Sequence, residues 1–421
     1  MRDNRRWIEW GKDALIVLLT LSAVWLLSMT PLVRDSGVQD LLAPRESLGA
    51  GSAPGGAAAA MLPARLAVTG ARGRYGVQYN EVLLEEQFPP LGALLGDALA
   101  SAGRPQPLEE SRWRRLLGGD GIYFDFLGSV PLSALEYWLQ GTGRGALDGS
   151  ARRVLLCAGE GDQVILCWQE SDSGSFFSSS TALTQTLHLD PVTEGAVSNG
   201  AYFAFESAEL ADRLAPYTLV TEGAEAGERY AASMPLSGAG QTAAVLEALS
   251  FSGSNHAPVN GGEVYPDGGD RLVVYDNGTV AYRAAHGEKY PVEPGPAGGV
   301  DGARTLAERT LGALCGEARL YLMSAKETEN GLRVRFGYLL DGSAVYLGGE
   351  GWAAEFWVQD GYIVQFTLHF RSYTAGGERA LLLPIDKAAA MLPDYTPERR
   401  ELVVQYRDGG GTEVSPDWVA V

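Results

Sequence analysis

Residues 270–283 have the sequence DRLVVYDNGTVAYR, and this stretch decides the class of fold. It contains two runs typical of β-strands, Arg271–Asp276 and Thr279–Arg283, with Asn277-Gly278 between them. Asn-Gly between two such runs is the strongest short-range signal for a β-hairpin, because both residues tolerate a positive φ. The segment therefore predicts two antiparallel strands joined by a tight turn.

Other parts of the chain also predict short strands separated by turn residues. A second hairpin is predicted for Arg153–Cys157 and Gln163–Trp168, and Asp360-Gly361 predicts a tight turn between Ala353–Gln359 and Tyr362–Arg371. The remaining predicted strands are Leu66–Thr69, Tyr75–Tyr79, Ile122–Leu127, Ala182–Leu189, Arg319–Ser324, Leu332–Leu339 and Glu401–Tyr406. These strands are short and follow one another along the chain, which favours antiparallel pairing.

Helical segments lie between these strands. The predicted helices are Leu91–Ser101, Leu108–Leu117, Leu132–Leu139, Ala208–Leu214, Thr242–Leu249, Ala303–Leu314 and Ile385–Leu392. The predicted irregular segments are the polar loop Phe176–Thr181 and the proline- and glycine-rich connection Tyr290–Gly302. Helices interspersed with antiparallel hairpins predict an α+β fold rather than a wound parallel sheet.

The first third of the chain contains a linker and the start of the folded region. Residues 34–63 include the stretch GAGSAPGG at 49–56, followed by four alanines, with no periodic apolar face. Such a composition is typical of a linker. We expect a first α+β domain over residues 64–233 and a second over residues 234–421.

An apolar run precedes the linker. Ala14–Val33 contains no charged residue over 20 positions, which is about 30 Å of helix and matches the hydrocarbon core of a bilayer. A cleaved signal peptide is the alternative, but its apolar core is shorter and ends in a small-residue cleavage site, which is not found here. The run therefore predicts an uncleaved transmembrane helix.

The charges beside this run predict its orientation. Arg2, Arg5, Arg6 and Lys12 precede the apolar segment, whereas only Arg34 and Arg45 follow it closely. Lys and Arg accumulate on the cytoplasmic side of a membrane span. We therefore expect a cytoplasmic tail at residues 1–13, a single-pass anchor in the cell membrane, and extracellular domains after it.

One side of the predicted span carries small and hydroxyl residues. Thr20, Ala23, Leu27 and Thr30 lie at helical spacing on one stripe. Small and hydroxyl side chains allow close approach and hydrogen bonding between membrane helices. The alternative is that each hydroxyl bonds its own helix backbone. The stripe is our predicted contact with the helix of a partner.

Charge and cysteine content exclude some classes of protein. The net charge of −19 disfavours binding to nucleic acid through the phosphate backbone. The three cysteines, Cys157, Cys167 and Cys315, are too few for a disulfide-rich module. A turn near Glu160 would place Cys157 opposite residue 163 and not opposite Cys167, so the register favours unpaired core cysteines over a disulfide between them.

The sequence contains no recognisable catalytic or metal-binding motif. The histidines His188, His256, His286 and His369 lack the spacing of metal ligands. No phosphate-binding loop and no nucleophile elbow occurs. We therefore predict that the protein is not an enzyme and uses neither a cofactor nor a metal.

The hairpin segment Asp270–Tyr282 resembles the YycH family of regulatory proteins. The layout is similar as well: a short basic start, one predicted span and a large α+β body. Leu314–Phe370, a helix followed by long amphipathic strands, resembles the related YycI module. Proteins of these families accompany an essential sensor kinase of cell-wall control in Gram-positive bacteria.

The resemblance implies a regulator without catalytic residues. It implies a sensor histidine kinase as partner, with a sister protein of the YycI type as a further partner, and contacts made through the span and the extracellular domains. The alternative function is an extracytoplasmic binding module for a cell-envelope ligand or protein. An anchored envelope enzyme is a third, weaker alternative.

Overall fold

The computed structural model describes residues 62–141, 147–221, 226–392 and 400–421. The predicted tail 1–13, the predicted span Ala14–Val33 and nearly all of the predicted linker 34–63 lie outside these residues. Within the described part of the chain, no helix combines the length and the apolar character needed to cross a membrane.

The described residues form an α+β fold dominated by antiparallel sheet. The strands are β1 (Arg65–Gly70), β2 (Gly73–Gln78), β3 (Gln106–Leu108), β4 (Gly121–Pro131), β5 (Ser150–Ala158), β6 (Gln163–Glu170), β7 (Phe176–Thr184), β8 (Tyr202–Phe203), β9 (Leu219–Val220), β10 (Ala226–Ser233), β11 (Ala257–Val259), β12 (Gly262–Asp267), β13 (Asp270–Tyr275), β14 (Thr279–Arg283), β15 (Arg319–Thr328), β16 (Gly331–Leu340), β17 (Ser343–Leu347), β18 (Ala354–Gln359), β19 (Tyr362–His369), β20 (Ser372–Leu381), β21 (Leu402–Asp408), β22 (Glu413–Val414) and β23 (Pro416–Ala420).

Helices connect and cover these strands. The α-helices are α1 (Glu81–Ala100), α2 (Glu110–Leu117), α3 (Leu132–Gln140), α4 (Asp190–Gly195), α5 (Ala239–Ala248), α6 (Gly295–Ala307) and α7 (Ile385–Ala390). Short 3₁₀ turns lie at Ala204–Glu206 and Pro235–Ser237, and π-helical turns lie at Gln185–Leu189 and Glu308–Gly312.

Two sheets, joined to each other where β15 runs parallel to β4, pack against a layer of helices. The first sheet has the order β2-β1-β4-β5-β6-β7-β3, and the second has the order β11-β12-β13-β14-β19-β18-β16-β15. Strand β16 also pairs with β17, which runs parallel to β21, and β21 pairs with β23. Helix α1 packs on the first sheet, α6 packs on the second, and α3 contacts both helices. The largest apolar core is therefore continuous from one sheet to the other.

The hairpin predicted from residues 270–283 is confirmed. Strand β13 pairs antiparallel with β14, with Val274 opposite Val280. The turn is one residue longer than a two-residue Asn-Gly turn, and only its last residue, Gly278, has a positive φ of 80°. The predicted tight turn at Asp360-Gly361 is also confirmed, because both residues have positive φ, 49° and 81°.

The prediction of a polar loop at Phe176–Thr181 is wrong, because these residues begin strand β7. The buried hydroxyls of this strand bond to backbone: Ser179 Oγ donates to Gly103 O at 2.8 Å, and Thr181 Oγ1 donates to Val164 O at 2.6 Å. A polar side chain can be buried when its hydrogen bonds are satisfied. The predicted strand Ala182–Leu189 is wrong beyond Thr184, where the π-helical turn follows.

The prediction that Tyr290–Gly302 is an irregular connection is also wrong. Helix α6 begins at Gly295, eight residues before the predicted helix start at Ala303. Glycines are poor helix formers, but here they permit close packing. A Cβ at Gly298 would lie 2.2 Å from Glu293 O, and a Cβ at Gly299 would lie 2.8 Å from Leu332 Cδ2. The contact between helix and sheet therefore overrides the local preference.

Two other helix predictions need correction. Helix α1 begins at Glu81 and continues through Pro89 and Pro90, whereas the prediction started it at Leu91. The predicted helix Ala208–Leu214 is absent from the described residues, where residues 208–213 form hydrogen-bonded turns and Leu214 forms a parallel bridge with Arg400. Single turns of this kind have the same spacing of apolar residues as a short helix, so the sequence pattern could not distinguish turns from a helix here.

A small third sheet links the two predicted domains. Strand β10 pairs with β20 on one side and with β22 on the other. By their contacts, all described residues belong to one compact unit. The predicted domain boundary between residues 233 and 234 stays a prediction.

Candidate functional site

The contact stripe predicted from the sequence, Thr20, Ala23, Leu27 and Thr30, lies outside the described residues. It stays a prediction. Within the described residues, a different feature is the strongest candidate for a contact surface. It is an apolar groove beside the last strands of the chain, which we call the C-terminal groove.

The C-terminal groove has a volume of about 330 Å³ and is built from three segments. They are the end of β20 with the two residues after it, helix α7 with the turn after it, and the strand pair β21 and β23. The lining residues are Leu381, Leu382, Leu383, Ala388, Met391, Leu392, Leu402, Pro416, Asp417, Trp418 and Ala420.

Large apolar side chains at this groove are exposed to solvent. Leu381 is 89% exposed, Met391 is 74% exposed and Leu383 is 47% exposed. Val421, at 56% exposure, directly follows the lining residue Ala420. Contiguous exposed apolar surface marks sites of interaction more often than isolated exposed residues do. The groove can therefore accept an apolar surface of another molecule.

Aromatic and hydrogen-bond contacts fix the wall of the groove. Trp418 Nε1 donates a hydrogen bond to Leu383 O at 2.7 Å, which connects β23 to the segment after β20. Tyr79 packs edge-to-face on the Trp418 ring at 6.2 Å between centroids, and its hydroxyl accepts from Val404 N at 3.1 Å. Burial raises the pKa of Tyr79 above its usual value. The wall is therefore a defined surface.

A buried group of charges lies directly behind this wall. It consists of Arg65, Asp125, Arg152, Arg153 and Glu401, which we call the arginine–carboxylate cluster. Asp125 and Arg65 are 0% and 1% exposed, and Glu401 is 4% exposed. Glu401 exchanges both backbone hydrogen bonds with Val421, at 3.1 and 2.9 Å, at the end of the strand pair β21 and β23. The cluster thus positions the floor of the groove.

Each carboxylate of the cluster accepts from several guanidinium groups. Glu401 Oε2 accepts from Arg152 Nη2 at 2.6 Å and from Arg153 Nη2 at 2.8 Å. Glu401 Oε1 accepts from Arg65 Nη1. Asp125 lies 3.2 Å from Arg65 Nη1 and 3.2 Å from Arg152 Nε. Three cations and two anions therefore share one buried site.

A β-bulge explains how two adjacent arginines contact the same carboxylates. The register between β5 and β6 shifts between Ala151 and Arg153, which leaves Arg152 as the extra residue. Successive residues of a regular strand point to opposite faces, but a bulge re-aims one of them. Arg152 and Arg153 can consequently both bond to Glu401.

The cluster lowers the pKa of both its carboxyl groups. Burial alone would raise the pKa of Glu401, but the positive charges of Arg65, Arg152 and Arg153 more than reverse this effect. The same balance lowers the pKa of Asp125, where Arg152 makes the largest favourable contribution. Both groups therefore stay ionised across the neutral and mildly acidic range.

The sequence contained one signal for this cluster that its interpretation missed. Asp125 interrupts the apolar run Ile122–Leu127, which was predicted to be a strand. A carboxylate in a buried strand needs a cationic partner, because an unpaired buried charge is very costly. One cationic partner of Asp125 is Arg65, which lies 60 positions earlier in the chain. The sequence could therefore indicate that Asp125 needs a cation but could not identify which one.

The titratable residues singled out earlier do not assemble into a reactive group. Within the described ranges, no set of histidine, cysteine and acidic residues could hold a metal ion. Cys157 and Cys167 are buried free thiols on neighbouring strands, with Cys157 opposite Ile165. A hydrogen bond with Cys167 and burial raise the pKa of Cys157, which disfavours the reactive thiolate. Cys315 is buried and free as well.

The comparisons with known proteins identify the fold. The crystal structure of YycH from Bacillus subtilis matches with a TM-score of 0.53 and 10% sequence identity, over 86% of this chain and 94% of that chain. An uncharacterized protein from Eubacterium rectale ATCC 33656 matches with a TM-score of 0.31 and 12% identity, over 47% of this chain and 77% of that chain. No family model and no curated protein matches the sequence. The chain has the fold of YycH, and the predicted resemblance is confirmed at the level of the fold.

Proposed function

We propose that this protein is a membrane-anchored extracytoplasmic regulator that modulates a sensor histidine kinase of a cell-wall two-component system. The observation that carries the proposal is the likeness in fold to YycH, which extends over 94% of that chain. In this proposal the protein acts by contact and not by catalysis. A sister protein of the YycI type is a further proposed partner.

Regulation by contact makes a modest energetic demand. A bound partner shifts an equilibrium between two kinase states only by the difference between its affinities for them. A tenfold shift in kinase activity corresponds to a difference of about 1.4 kcal/mol. An exposed apolar surface of a few side chains can supply this amount, since burying one large aliphatic side chain contributes about 1.5–3 kcal/mol. We place the ectodomain contact at the C-terminal groove.

The membrane span is the second proposed contact. Helix contacts within the membrane are a route by which such a regulator could act on the kinase. The stripe Thr20, Ala23, Leu27 and Thr30 is our proposed surface for them.

Deletion of the protein tests the proposal. We expect transcription controlled by the kinase of the host cell to change when the gene is deleted and to return when the full chain is restored. A chain in which Ala14–Val33 is replaced by an unrelated apolar helix of the same length should restore only part of the regulation of the kinase. If kinase output is the same with the full chain and without it, the regulator function is wrong.

A further variant tests the groove separately. Met391→Ser with Leu381→Ser makes two exposed groove residues polar and should reduce the control of the kinase. The matched control is Leu187→Ser, a side chain that is 73% exposed and does not line the groove. If the two groove substitutions leave regulation of the kinase intact while deletion of the gene abolishes it, the ectodomain contact lies elsewhere.

A further inference from the structure

The outer face of the second sheet carries a continuous row of side chains that none of the functions above uses. Six neighbouring strands each contribute one residue, and each residue is the register partner of the next. In order from β13 to β15, the row consists of Arg271, Arg283, Gln365, Trp357, Arg333 and Lys326. We call it the basic row.

The basic row faces outward because its neighbours along each strand face the core. The next position on each strand forms a parallel row that is buried throughout. This inner row consists of Leu272, Tyr282, Phe366, Phe356, Val334 and Ala325. Side chains alternate between the two faces of a strand, so the residues of the basic row lie on the opposite, solvent-facing side.

The basic row concentrates positive charge on an acidic protein. Four of its six residues are cationic, whereas the net charge of the chain is −19. Among the described residues, no carboxylate pairs with Arg271, Arg283 or Arg333. Arg333 instead lies over the Trp357 ring, 5.6 Å from its centroid. Lys326 pairs with Asp172 in the turn between β6 and β7. The three arginines are therefore available for an anion.

A concavity of about 440 Å³ opens at the middle of the row. Its lining residues are Arg283, Ala284, Asn330, Trp357, Gln359, Val364 and Gln365. The register between β18 and β19 shifts beside Trp357, which leaves Val364 as an extra residue next to Gln365. A β-bulge bends its strand and re-aims side chains, and bulges are frequent at binding sites. Here Val364 and Gln365 both line the concavity.

The lining has a specific chemical character. Three primary amides, from Asn330, Gln359 and Gln365, offer both donors and acceptors. Trp357 adds an indole ring, and Arg283 adds a guanidinium group, whose geometry matches a carboxylate or a phosphate. This combination suits a small polyhydroxylated ring that carries one negative charge.

We propose that the concavity binds an anionic saccharide, a sugar ring that carries a carboxylate or a phosphate. The uncharged body of the sugar lies against Trp357 and the amides, and its anionic group pairs with Arg283. This inference does not depend on the proposed regulation of a kinase.

The order of residues in the row favours a saccharide over an acidic peptide. The two central positions, Gln365 and Trp357, are uncharged, and the cations flank them. Arg283 and Arg333 are three strands apart, which is about 14 Å at the usual spacing of 4.7–4.9 Å between strands. A run of acidic residues would place its charges against the uncharged centre. A sugar ring places its uncharged body there.

Titration of the full chain in a non-ionic detergent tests this site by isothermal calorimetry. The probes share one ring: N-acetylmuramic acid carries a carboxylate, N-acetylglucosamine 1-phosphate carries a phosphate, and N-acetylglucosamine carries no charge. We expect at least one charged sugar to bind tenfold or more tightly than the uncharged sugar. Weaker binding at high salt would be expected as well, because screening reduces exposed charge interactions.

Two substitutions and one control locate the binding. Arg283→Gln should weaken binding of the charged sugar tenfold or more, and Trp357→Leu should weaken binding of all three sugars. The control is Arg271→Gln, the next cation of the row, which does not line the concavity and should change affinity less than twofold. Circular dichroism checks that each variant is folded, and Arg283 is exposed, so its replacement should leave the fold intact.

Three results would overturn the proposal. The first is equal affinity for charged and uncharged sugars, and the second is binding that Arg283→Gln does not change. The third is binding of poly-L-glutamate without binding of any charged sugar, which would assign the basic row to an acidic protein segment. Because the assay does not involve a kinase, its failure is distinct from a failure of the regulator function.

Discussion

Two groups of buried charges in this chain connect residues over very different distances in sequence. The arginine–carboxylate cluster joins Arg65 to Glu401, which are 336 positions apart. The second group lies in helix α6 and the π-helical turn after it, where Arg304 donates to Asp301 Oδ1 at 2.9 Å and to Glu308 Oε2 at 2.6 Å. We call this second group, completed by Trp138, the helix charge group.

One carboxylate of the helix charge group reaches solvent, whereas neither carboxylate of the arginine–carboxylate cluster does. Glu308 is 38% exposed, whereas both carboxylates of the arginine–carboxylate cluster are nearly fully buried. Trp138 Nε1 donates to Asp301 Oδ1 at 2.8 Å and ties α3 to α6. When one member of the helix charge group is removed, water can solvate the charge left behind. In the buried arginine–carboxylate cluster, water cannot solvate the unpaired charges in the same way.

The largest expected effect follows from Glu401→Gln. This substitution leaves three arginines, two of them buried, with one carboxylate, and loss of one member of a buried ion group costs about 3–5 kcal/mol. Urea unfolding followed by circular dichroism measures the change in the free energy of unfolding. The control is Glu413→Gln, at a side chain that is 60% exposed, which should change stability by less than about 0.5 kcal/mol. If Glu401→Gln lowers the free energy of unfolding by less than about 1 kcal/mol, the arginine–carboxylate cluster is not the more sensitive of the two groups.

Asp301→Asn should destabilise the protein less. The amide oxygen can still accept from Trp138 and Arg304, and Glu308 still compensates the charge of Arg304. Hydrogen bonds to charged groups contribute about 1.5–3 kcal/mol, so we expect a loss within or below this range. Trp138→Phe, which removes the hydrogen bond between α3 and α6 and part of a buried ring that Arg304 lies over, should also destabilise the protein. If Asp301→Asn is more damaging than Glu401→Gln, the contrast between the two groups is wrong.

The two groups should respond to pH in opposite directions. The pKa values of Asp125 and Glu401 are lowered by the arginines, so their contribution is complete above the unfolded-state pKa near 4 and is lost as pH falls below it. Burial raises the pKa of Glu308, so its ionisation costs stability, and this cost disappears at low pH. Unfolding free energies between pH 7 and pH 3 should therefore fall less steeply in Glu401→Gln and more steeply in Glu308→Gln than in the parent chain.

The smallest effect on stability is expected at the C-terminal groove. Met391→Ser removes a side chain that is 74% exposed, so the free energy of unfolding should change by less than about 0.5 kcal/mol. Thermal unfolding monitored by circular dichroism provides the measurement. A loss above about 1.5 kcal/mol would mean that Met391 has a packing role and would remove it as a probe of partner contact.

Local patterns determined much of the architecture. The Asn-Gly hairpin at residues 270–283, the alternation along β16, β18 and β19, and the α+β class all follow from side-chain periodicity and turn residues. These signals are local, because φ preferences and the alternation of faces act within a few residues. The resemblance to YycH depends on the same hairpin, and the structure confirms it as a likeness in fold.

Non-local contacts decided the rest. Glycines that weaken a helix in isolation allow α6 to approach the second sheet, and satisfied hydroxyls convert a polar segment into β7. Two bulges, at Arg152 and Val364, re-aim side chains in ways that strict alternation does not predict.

The sequence by itself determined which segments form hairpins and which face of each strand is apolar, because these properties depend on near neighbours. Only the tertiary structure decided that Glu401 meets Arg65, Arg152 and Arg153. It alone also decided that the hairpin with Arg271 and Arg283 lies in the same sheet as the hairpin with Lys326 and Arg333. Both features depend on the register between strands and on closure of long loops, and neither leaves a periodic trace in the sequence.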